Sequence, residues 1–419
     1  MQFIADFHLH SRFSRATSKD MDAPTIARWA RLKGIKVVGT GDFTHPTHLA
    51  SLKARLESDG SGLYHSREGD NWTKFILTGE VSNIFSQGGK VRKIHTLIFA
   101  PSFQVVDAIN DRLARLGKLS SDGRPIFGFP VKDLVKLVLD VSEACLVVPA
   151  HAWTPWFSLF GANSGFDSIE ECFGEEARHI HAIETGLSSD PQMNWRLSCL
   201  DEITLISNSD AHSPSKIGRE ANVFDCDLSY EEITSAIRKK DKKKFVYTIE
   251  FFPEEGKYHF DGHRACGILF SPEESKKHNL ICPRCGRRLT LGVMHRVNQL
   301  ADRPPGFIPQ NAIPARHLVP LVEIVADCLS LGVGSAAVER EYERITMAGG
   351  NECEVLLSLD ESGLSRIASP RIVEGILKVR RGEVNAVPGY DGVFGKISIF
   401  GKEAVLEKLE TVAAQTSLF

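Results

Sequence analysis

His8 and His10 lie two residues apart in Asp6-Phe7-His8-Leu9-His10, and Asp210 and His212 lie two apart in Asn208-Ser209-Asp210-Ala211-His212. Each pair follows an apolar run, and in an extended segment residues i and i+2 face the same way. Both members of each pair can therefore point into one pocket. Asp42, Glu80, His95 and His151 fall between them, close to the ends of other apolar runs, with His45 and His48 as further candidates. Imidazole and carboxylate suit zinc, manganese, magnesium or iron, and a carboxylate can bridge two ions. Two or three divalent ions about 4 Å apart can activate water, hold a phosphate and stabilise a leaving oxygen. The chemistry expected of this set is phosphoester hydrolysis, with Glu80, Asp210 and His212 in catalytic roles. No glycine-rich phosphate loop or serine nucleophile elbow competes with it. A lone histidine is usually a core or surface residue, as we expect of His65, His179, His278 and His317. Two i, i+2 pairs with single ligands spaced between them are not explained that way.

These residues need a scaffold that gathers strand ends. Strands are expected at Phe3–Phe7, Lys36–Thr40, Phe75–Thr78, Thr96–Phe99, Leu146–Pro149, Ile180–Ile183 and Thr204–Ser207. Amphipathic stretches lie between several of them. Asp22–Gly34 opens on an aspartate N-cap and an early proline and closes on glycine, and Phe103–Gly117 and Val131–Val141 also have helical spacing. Such alternation argues for a parallel sheet or a (β/α) barrel. Most of the candidate ligands, and Glu184, fall at strand C-terminal ends, as a barrel active site requires, while His95 falls at a strand start. We therefore expect an α/β protein with a distorted barrel over residues 1–250.

The constellation resembles the PHP (polymerase and histidinol phosphatase) superfamily. The matching pieces are Asp6-Phe-His-Leu-His-Ser11, Gly41-Asp42, Thr78-Gly-Glu80, His95, Pro149-Ala-His151 and Asn208-Ser-Asp210-Ala-His212. The resemblance implies a distorted (β/α)7 barrel. It assigns His8, His10, Glu80 and Asp210 to one ion and Glu80, His95 and His151 to a second, with Glu80 bridging. Asp42 and His212 would help hold a third. Some family members supply another histidine soon after the first motif, where this chain has Arg12-Phe-Ser-Arg-Ala16. Here His45 would complete that third site.

A second metal motif follows. His263-x-x-Cys266, then fifteen residues, then Cys282-Pro-Arg-Cys285-Gly286, gives two short ligand pairs separated by a loop. One histidine and three cysteines make a tetrahedral zinc site with no open position, hence a structural one. A small zinc-ribbon-like domain over 251–309 is expected, stapled by that ion because its apolar core is small. Arg264, Arg284, Arg287, Arg288 and Arg296 surround it, and a rigid basic knuckle suits phosphates. Helical patterning returns at Leu318–Leu331 and Arg371–Arg381, so residues 310–412 are expected to form a mainly helical domain ahead of a tail at 413–419.

The formal net charge of −3 does not by itself point to nucleic acid, but the charge is uneven. Residues 256–303 carry nine Lys/Arg against four Asp/Glu, just after the run Arg238–Lys244. A local basic stripe matters more than the total when the partner is a phosphate backbone. Trp153, Trp156 and Phe157, directly after His151, could stack on an extruded base, and Asn208 could read a base edge. A PHP barrel acting on a metabolite needs neither the knuckle nor the basic stripe, so DNA is the expected partner. With Val387-Pro-Gly-Tyr-Asp-Gly-Val-Phe-Gly-Lys396, the order of parts resembles a family of DNA repair endonucleases within the PHP superfamily. That resemblance implies cleavage 5′ to deaminated bases (uracil, hypoxanthine, xanthine) and at abasic sites. A small-molecule phosphatase and a non-catalytic DNA- or clamp-binding module are the alternatives. The end, Gln415-Thr-Ser-Leu-Phe419, resembles peptides that bacterial replication proteins insert into the sliding clamp. No run of about 18 apolar residues indicates a membrane span, and nothing resembles a secretory leader. Nine cysteines, an odd number, argue for a reducing compartment, so we expect a cytoplasmic, nucleoid-associated protein.

Overall fold

A computed structural model describes residues 1–68 and 71–401. The clamp-like segment Gln415–Phe419 lies outside the described residues.

Seven strands form the frame of the site: β1 (Gln2–Asp6), β2 (Val37–Gly39), β3 (Lys74–Gln87), β4 (Lys90–Ala100), β5 (Leu146–Pro149), β6 (Ala182–Glu184) and β7 (Thr204–Ile206). β1 pairs in parallel with β2, β2 with β3 and β6 with β7. β3 and β4 run antiparallel, and so do β4 and β5. Single contacts complete the circuit. The Ala152 N–H donates to the Glu184 carbonyl at 2.8 Å between β5 and β6, and a parallel Leu9–Ala211 bridge joins the ends of β1 and β7. These are the seven strands expected from the sequence, arranged as a distorted α/β barrel. The distortion comes mainly from β3 and β4. Each was expected as a four-residue strand, but they form a long hairpin turning at Gly88-Gly89, so β4 runs against its neighbours.

Inside the frame, Phe3, Ala5 and Phe7 of the first segment pack with Leu97, Phe99, Leu146, Val148 and Ile206. A larger core lies between the sheet and the helices outside it. The expected helix forms over Ala23–Lys33, with the Asp22 carboxylate accepting the Thr25 N–H at 3.1 Å and Gly34 closing it. Two further strands, β8 (Ala221–Asp225) and β9 (Phe245–Glu250), extend the sheet antiparallel from β1. The short strand Ala315–His317 then pairs with β9, so the barrel sheet continues into the C-terminal region. That region is mainly helical, with helices at Leu321–Leu329, Ala336–Gly349, Glu361–Ile367 and Pro370–Arg380. It is tied to the barrel by a buried ion pair between Lys33 and Glu352 at 2.6 Å. Among the described residues, no helix is long and apolar enough to cross a membrane.

Much of the basic run Arg238–Lys244 is engaged within the chain itself, while Lys239 and Lys243 are exposed. Arg238 Nη2 donates to the carbonyls of Glu143, Ala144 and Cys145 at 3.2, 2.9 and 2.6 Å. Lys240 donates to the Asp201 carbonyl, Lys242 to that of Gln310, and Lys244 pairs with Glu232. Cys145 immediately precedes β5, so Arg238 satisfies carbonyls at the end of the barrel opposite His151.

Candidate metal centre

Regular pairing of β1 stops at Asp6, whose carboxylate accepts the N–H groups of Ser209 at 3.0 Å and Gly218 at 2.9 Å. This ties the Asn208–His212 loop to the end of β1. Leu9 then turns into the outer core, leaving His8 and His10 together on the other side, both fully buried. Three residues at strand ends, Asp42, His151 and Asp210, have φ of 45°, 29° and 46°. Non-glycine residues are rarely held there, and such strain gathers at functional sites.

Two groups of ligand-type atoms converge. In the first, His8 Nε2 and His10 Nε2 lie 3.7 and 3.0 Å from Asp210 Oδ1. All three atoms are buried, yet none has a hydrogen-bond partner of proper geometry among the described residues. Buried polar atoms are rarely left so, and a cation between them would satisfy all three. In the second group, Glu80 Oε1 lies 2.9 Å from His95 Nδ1 and 3.2 Å from His151 Nε2. Glu80 Oε2 reaches back towards the first group, 3.5 Å from His8 Nε2 and 3.3 Å from His10 Nε2. One carboxylate thus presents an oxygen to each group, the position of a bridging ligand. The donor set fits divalent ions.

The far sides of the imidazoles are also held, which fixes their orientation. Glu184 receives His8 Nδ1 at 3.0 Å and also accepts the His151 N–H at 2.7 Å. Thr154 Oγ1 sits 3.2 Å from His151 Nδ1. Asp42 lies behind His10, with Oδ1 3.2 Å from His10 Nδ1 and Oδ2 accepting from Ser11 and Ser14. His45 caps a helix by accepting the His48 N–H, and its ring stacks on Phe13 with centroids 4.4 Å apart. His212 places its ring 4.3 Å from that of His10 while Nδ1 donates to the Asp210 carbonyl at 2.9 Å. Asp42, His45 and His212 belong to neither convergent group.

The sequence placed Glu184 among the polar residues at strand ends without a ligand role, and Arg124 carried no signal. Arg124 Nη1 lies 2.9 Å from Glu80 Oε2, in a loop with no ligand spacing to mark it. Burial would raise the Glu80 carboxyl, but Arg124, His95 and His8 hold it well below the usual carboxylate range. Asp210 is likewise held down, against its burial, by His10, His8 and His212. Burial works against an imidazolium at His8 and His10, yet the surrounding carboxylates push both well above the ordinary histidine value. His95 is depressed to about 4 by burial despite Glu80 and so stays neutral. The carboxylates are therefore charged and matched to positive charge, which arriving ions would supply in place of protons.

A cavity of about 760 Å³ opens over the two groups. His95, His151, Asp210 and His212 form part of its wall, with Trp156 and Phe157 and the cations Lys93, Lys216, Arg219 and Lys257. Trp153, expected to meet a base, does not line the cavity. Trp153 is buried, packs at a tilt against Phe160 and donates Nε1–H to Asn194 Oδ1 at 2.7 Å. Asn208 does line the cavity, though it is almost fully buried and its amide is held by bonds to Glu184, the Phe7 N–H and Asn222. We therefore expect Trp153→Ala to cost about 3–5 kcal/mol of stability, as a core aromatic would. Denaturant unfolding checks this; unchanged stability with weakened DNA binding would return Trp153 to the substrate.

The cysteine motif also assembles. Ligand atoms of His263, Cys266, Cys282 and Cys285 lie within 4.8 Å of one another, fitting one tetrahedral ion. Arg284, Arg287 and Arg288 are exposed around the knuckle. Arg296 is occupied as a tether, donating to the carbonyls of Phe160 and Phe166 and pairing with Asp167.

Comparison with known proteins agrees with this architecture. Residues 201–241 match the family model described as PHP-associated, and 320–383 match the MJ0043 C-terminal domain. The uncharacterized protein MJ0043 of Methanocaldococcus jannaschii is 35% identical over 298 residues, covering 68% of this chain. The match takes in 35% of that protein, so the chain spans about a third of its length. A crystal structure of the lesion-specific endonuclease PfuEndoQ from Pyrococcus furiosus aligns with TM-score 0.85 and 31% identity, covering 98% of this chain and 99% of the other. Endonuclease Q in complex with a 27-mer duplex substrate carrying an abasic lesion aligns equally well, over 97% of this chain and all of the other. With barrel, knuckle and helical region matched almost end to end at that identity, the chain belongs to the endonuclease Q family.

Proposed function

We propose that this protein is a DNA repair endonuclease that cuts the phosphodiester 5′ to a deaminated base (uracil, hypoxanthine or xanthine) and at abasic sites. The observation that carries the reading is Glu80, with one oxygen in each of two ligand groups beneath a cavity walled by cations and aromatics. The related endonuclease Q complex, with an abasic lesion at its active site, supports duplex DNA as the substrate. Divalent ions held by the two groups would activate the attacking water and neutralise charge developing on the phosphate.

The chain's own residues do the rest. Lys93, Lys216, Arg219 and Lys257 line the cavity and position the phosphates. Phe157, with its ring 4.7 Å from that of His95, and Trp156 receive the extruded nucleotide. His212, with Nδ1 committed to a carbonyl, keeps Nε2 for the substrate or a third ion. Attack by water with the 3′ oxygen leaving yields a 3′-hydroxyl and a 5′-phosphate.

The test uses labelled duplexes with one deoxyuridine, one abasic site or no lesion, together with histidinol phosphate, each with and without chelator. A single chelator-sensitive nick 5′ to each lesion is expected. Release of phosphate from the small ester alone would replace this reading with a metabolite phosphatase.

A further inference from the structure

The C-terminal region returns to the cavity as a ribbon whose tip has no role in the metal centre. Strands Asn385–Val387 and Lys396–Ser398 pair antiparallel, and the segment between them ends in a tight turn at Tyr390–Val393. Tyr390 and Val393 exchange main-chain hydrogen bonds at 3.0 and 2.8 Å, with φ of 43° at Asp391 and 85° at Gly392. Two successive left-handed residues mark a type I′ turn, which Asp-Gly favours.

The tip is held from three sides. The Asp391 carboxylate accepts from the Arg264 N–H and from Thr290 Oγ1, both at 2.7 Å, anchoring it to the cysteine knuckle. The Gly392 N–H donates to the Lys257 carbonyl, and the Gly389 and Gly395 N–H groups donate to those of Glu254 and Glu255. The approach at Gly395 is so close that a Cβ would stand 1.9 Å from the Glu254 carbonyl oxygen. Yet this fixed tip presents apolar side chains to solvent: Phe394 is 58% exposed and Val393 38%. Phe394 stands at the rim of the cavity that holds the metal-type groups, with Lys257 Nζ 4.6 Å above its ring. A rigid, exposed aromatic beside a cation, at the mouth of a site for an anionic polymer, is not accounted for by packing.

We infer that Phe394, backed by Val393, is a wedge that enters the base stack beside the lesion and fills the gap left when the damaged nucleotide swings into the cavity. The inference rests on the proposed function and adds to it the element that keeps the duplex open. Apolar side chains inserted at a base step do this elsewhere by replacing lost stacking. Lys257, over the ring, pairs with a flanking phosphate and guides the entry.

The experiment compares Phe394→Ala and Phe394→Leu with the unmodified protein on deoxyuridine in paired duplex and in single-stranded DNA. A wedge matters where a stack must be opened. For Phe394→Ala the ratio of duplex to single-strand nicking rates should fall at least about tenfold, and leucine should recover most of it. In parallel, 2-aminopurine beside the uracil is followed on binding to Asp210→Ala protein, which keeps the knuckle's ion and should not cleave, with and without Phe394→Ala. Its fluorescence should rise with Phe394 present and much less with the alanine in its place. An unchanged ratio, whether both rates fall together or neither falls, overturns the wedge. If the unmodified protein nicks neither substrate, the proposed nuclease function fails, while the 2-aminopurine signal still decides the wedge.

Discussion

Glu80→Gln is expected to slow nicking of lesion-bearing DNA by at least about 10³-fold, a barrier change of about 4 kcal/mol. Duplex binding should stay within a few-fold. Glutamine keeps the size of the side chain but removes the charge and one acceptor oxygen. Glu80 presents one carboxylate oxygen to the ligand atoms of each group, so its loss weakens both sites together. Asp210→Ala strips one ligand from the first group alone. It should also abolish cleavage with binding kept, but metal analysis should show Asp210→Ala retaining more ions than Glu80→Gln. The substitution leaves Arg124 without its carboxylate partner, so melting temperature is recorded with each rate to separate lost chemistry from lost fold. The cations proposed to hold phosphates, Lys93 and Lys257 among them, line the cavity apart from Glu80, which is why binding and cutting should part. Undiminished nicking by Glu80→Gln would remove the bridging carboxylate from the mechanism.

What the sequence disclosed about this centre follows from how each residue acts. His8 and His10, and Asp210, were visible because ligands at strand ends sit at fixed spacing after apolar runs, and the fold brings them together. Glu80 and His95 meet across a hairpin in which Glu80 pairs with Leu97 and His95 with Ser82. No linear spacing reports that diagonal; the family resemblance supplied it. Glu184, marked only by its place at a strand end, and Arg124 act through their contacts with His8, His151 and Glu80, and such contacts leave no periodic trace. Composition misled where a residue type has two uses. Trp153 and Phe157 belong to one aromatic run, yet the first is core and the second lines the cavity. In the basic run at 238–244, Arg238, Lys240, Lys242 and Lys244 bond carbonyls and carboxylates of their own chain, which a charge count does not reveal. β8 and β9 escaped notice because they extend the sheet antiparallel, outside the β-α alternation that marked the other strands.

Cys282→Ser should remove one zinc equivalent per chain and unfold the knuckle while the barrel stays folded. Cys282 is buried at the centre of its turn, its N–H donating to the Arg287 carbonyl at 2.7 Å and its own carbonyl accepting the Gly286 N–H at 2.9 Å. Between residues 256 and 303 the buried apolar side chains are few, chiefly Leu289, Val293 and Val297. Structural zinc contributes on the order of 10–16 kcal/mol in small domains, far more than so small a core can replace. The barrel keeps the core inside its strands and a separate ligand set, so it should survive the loss. Function should then divide. Asp391 would lose its anchors at Arg264 and Thr290, and the wall formed by Lys257 and Tyr258 would loosen. Nicking of duplex DNA should therefore fall by more than about tenfold, while hydrolysis of a small activated phosphodiester at the barrel ions falls less than about twofold. Zinc analysis, limited proteolysis over residues 256–303 and the two rate measurements read this out together. Equal loss of both activities would show that the knuckle supports the barrel itself rather than presenting DNA to it, and retention of zinc by the variant would show that Cys282 is not a ligand.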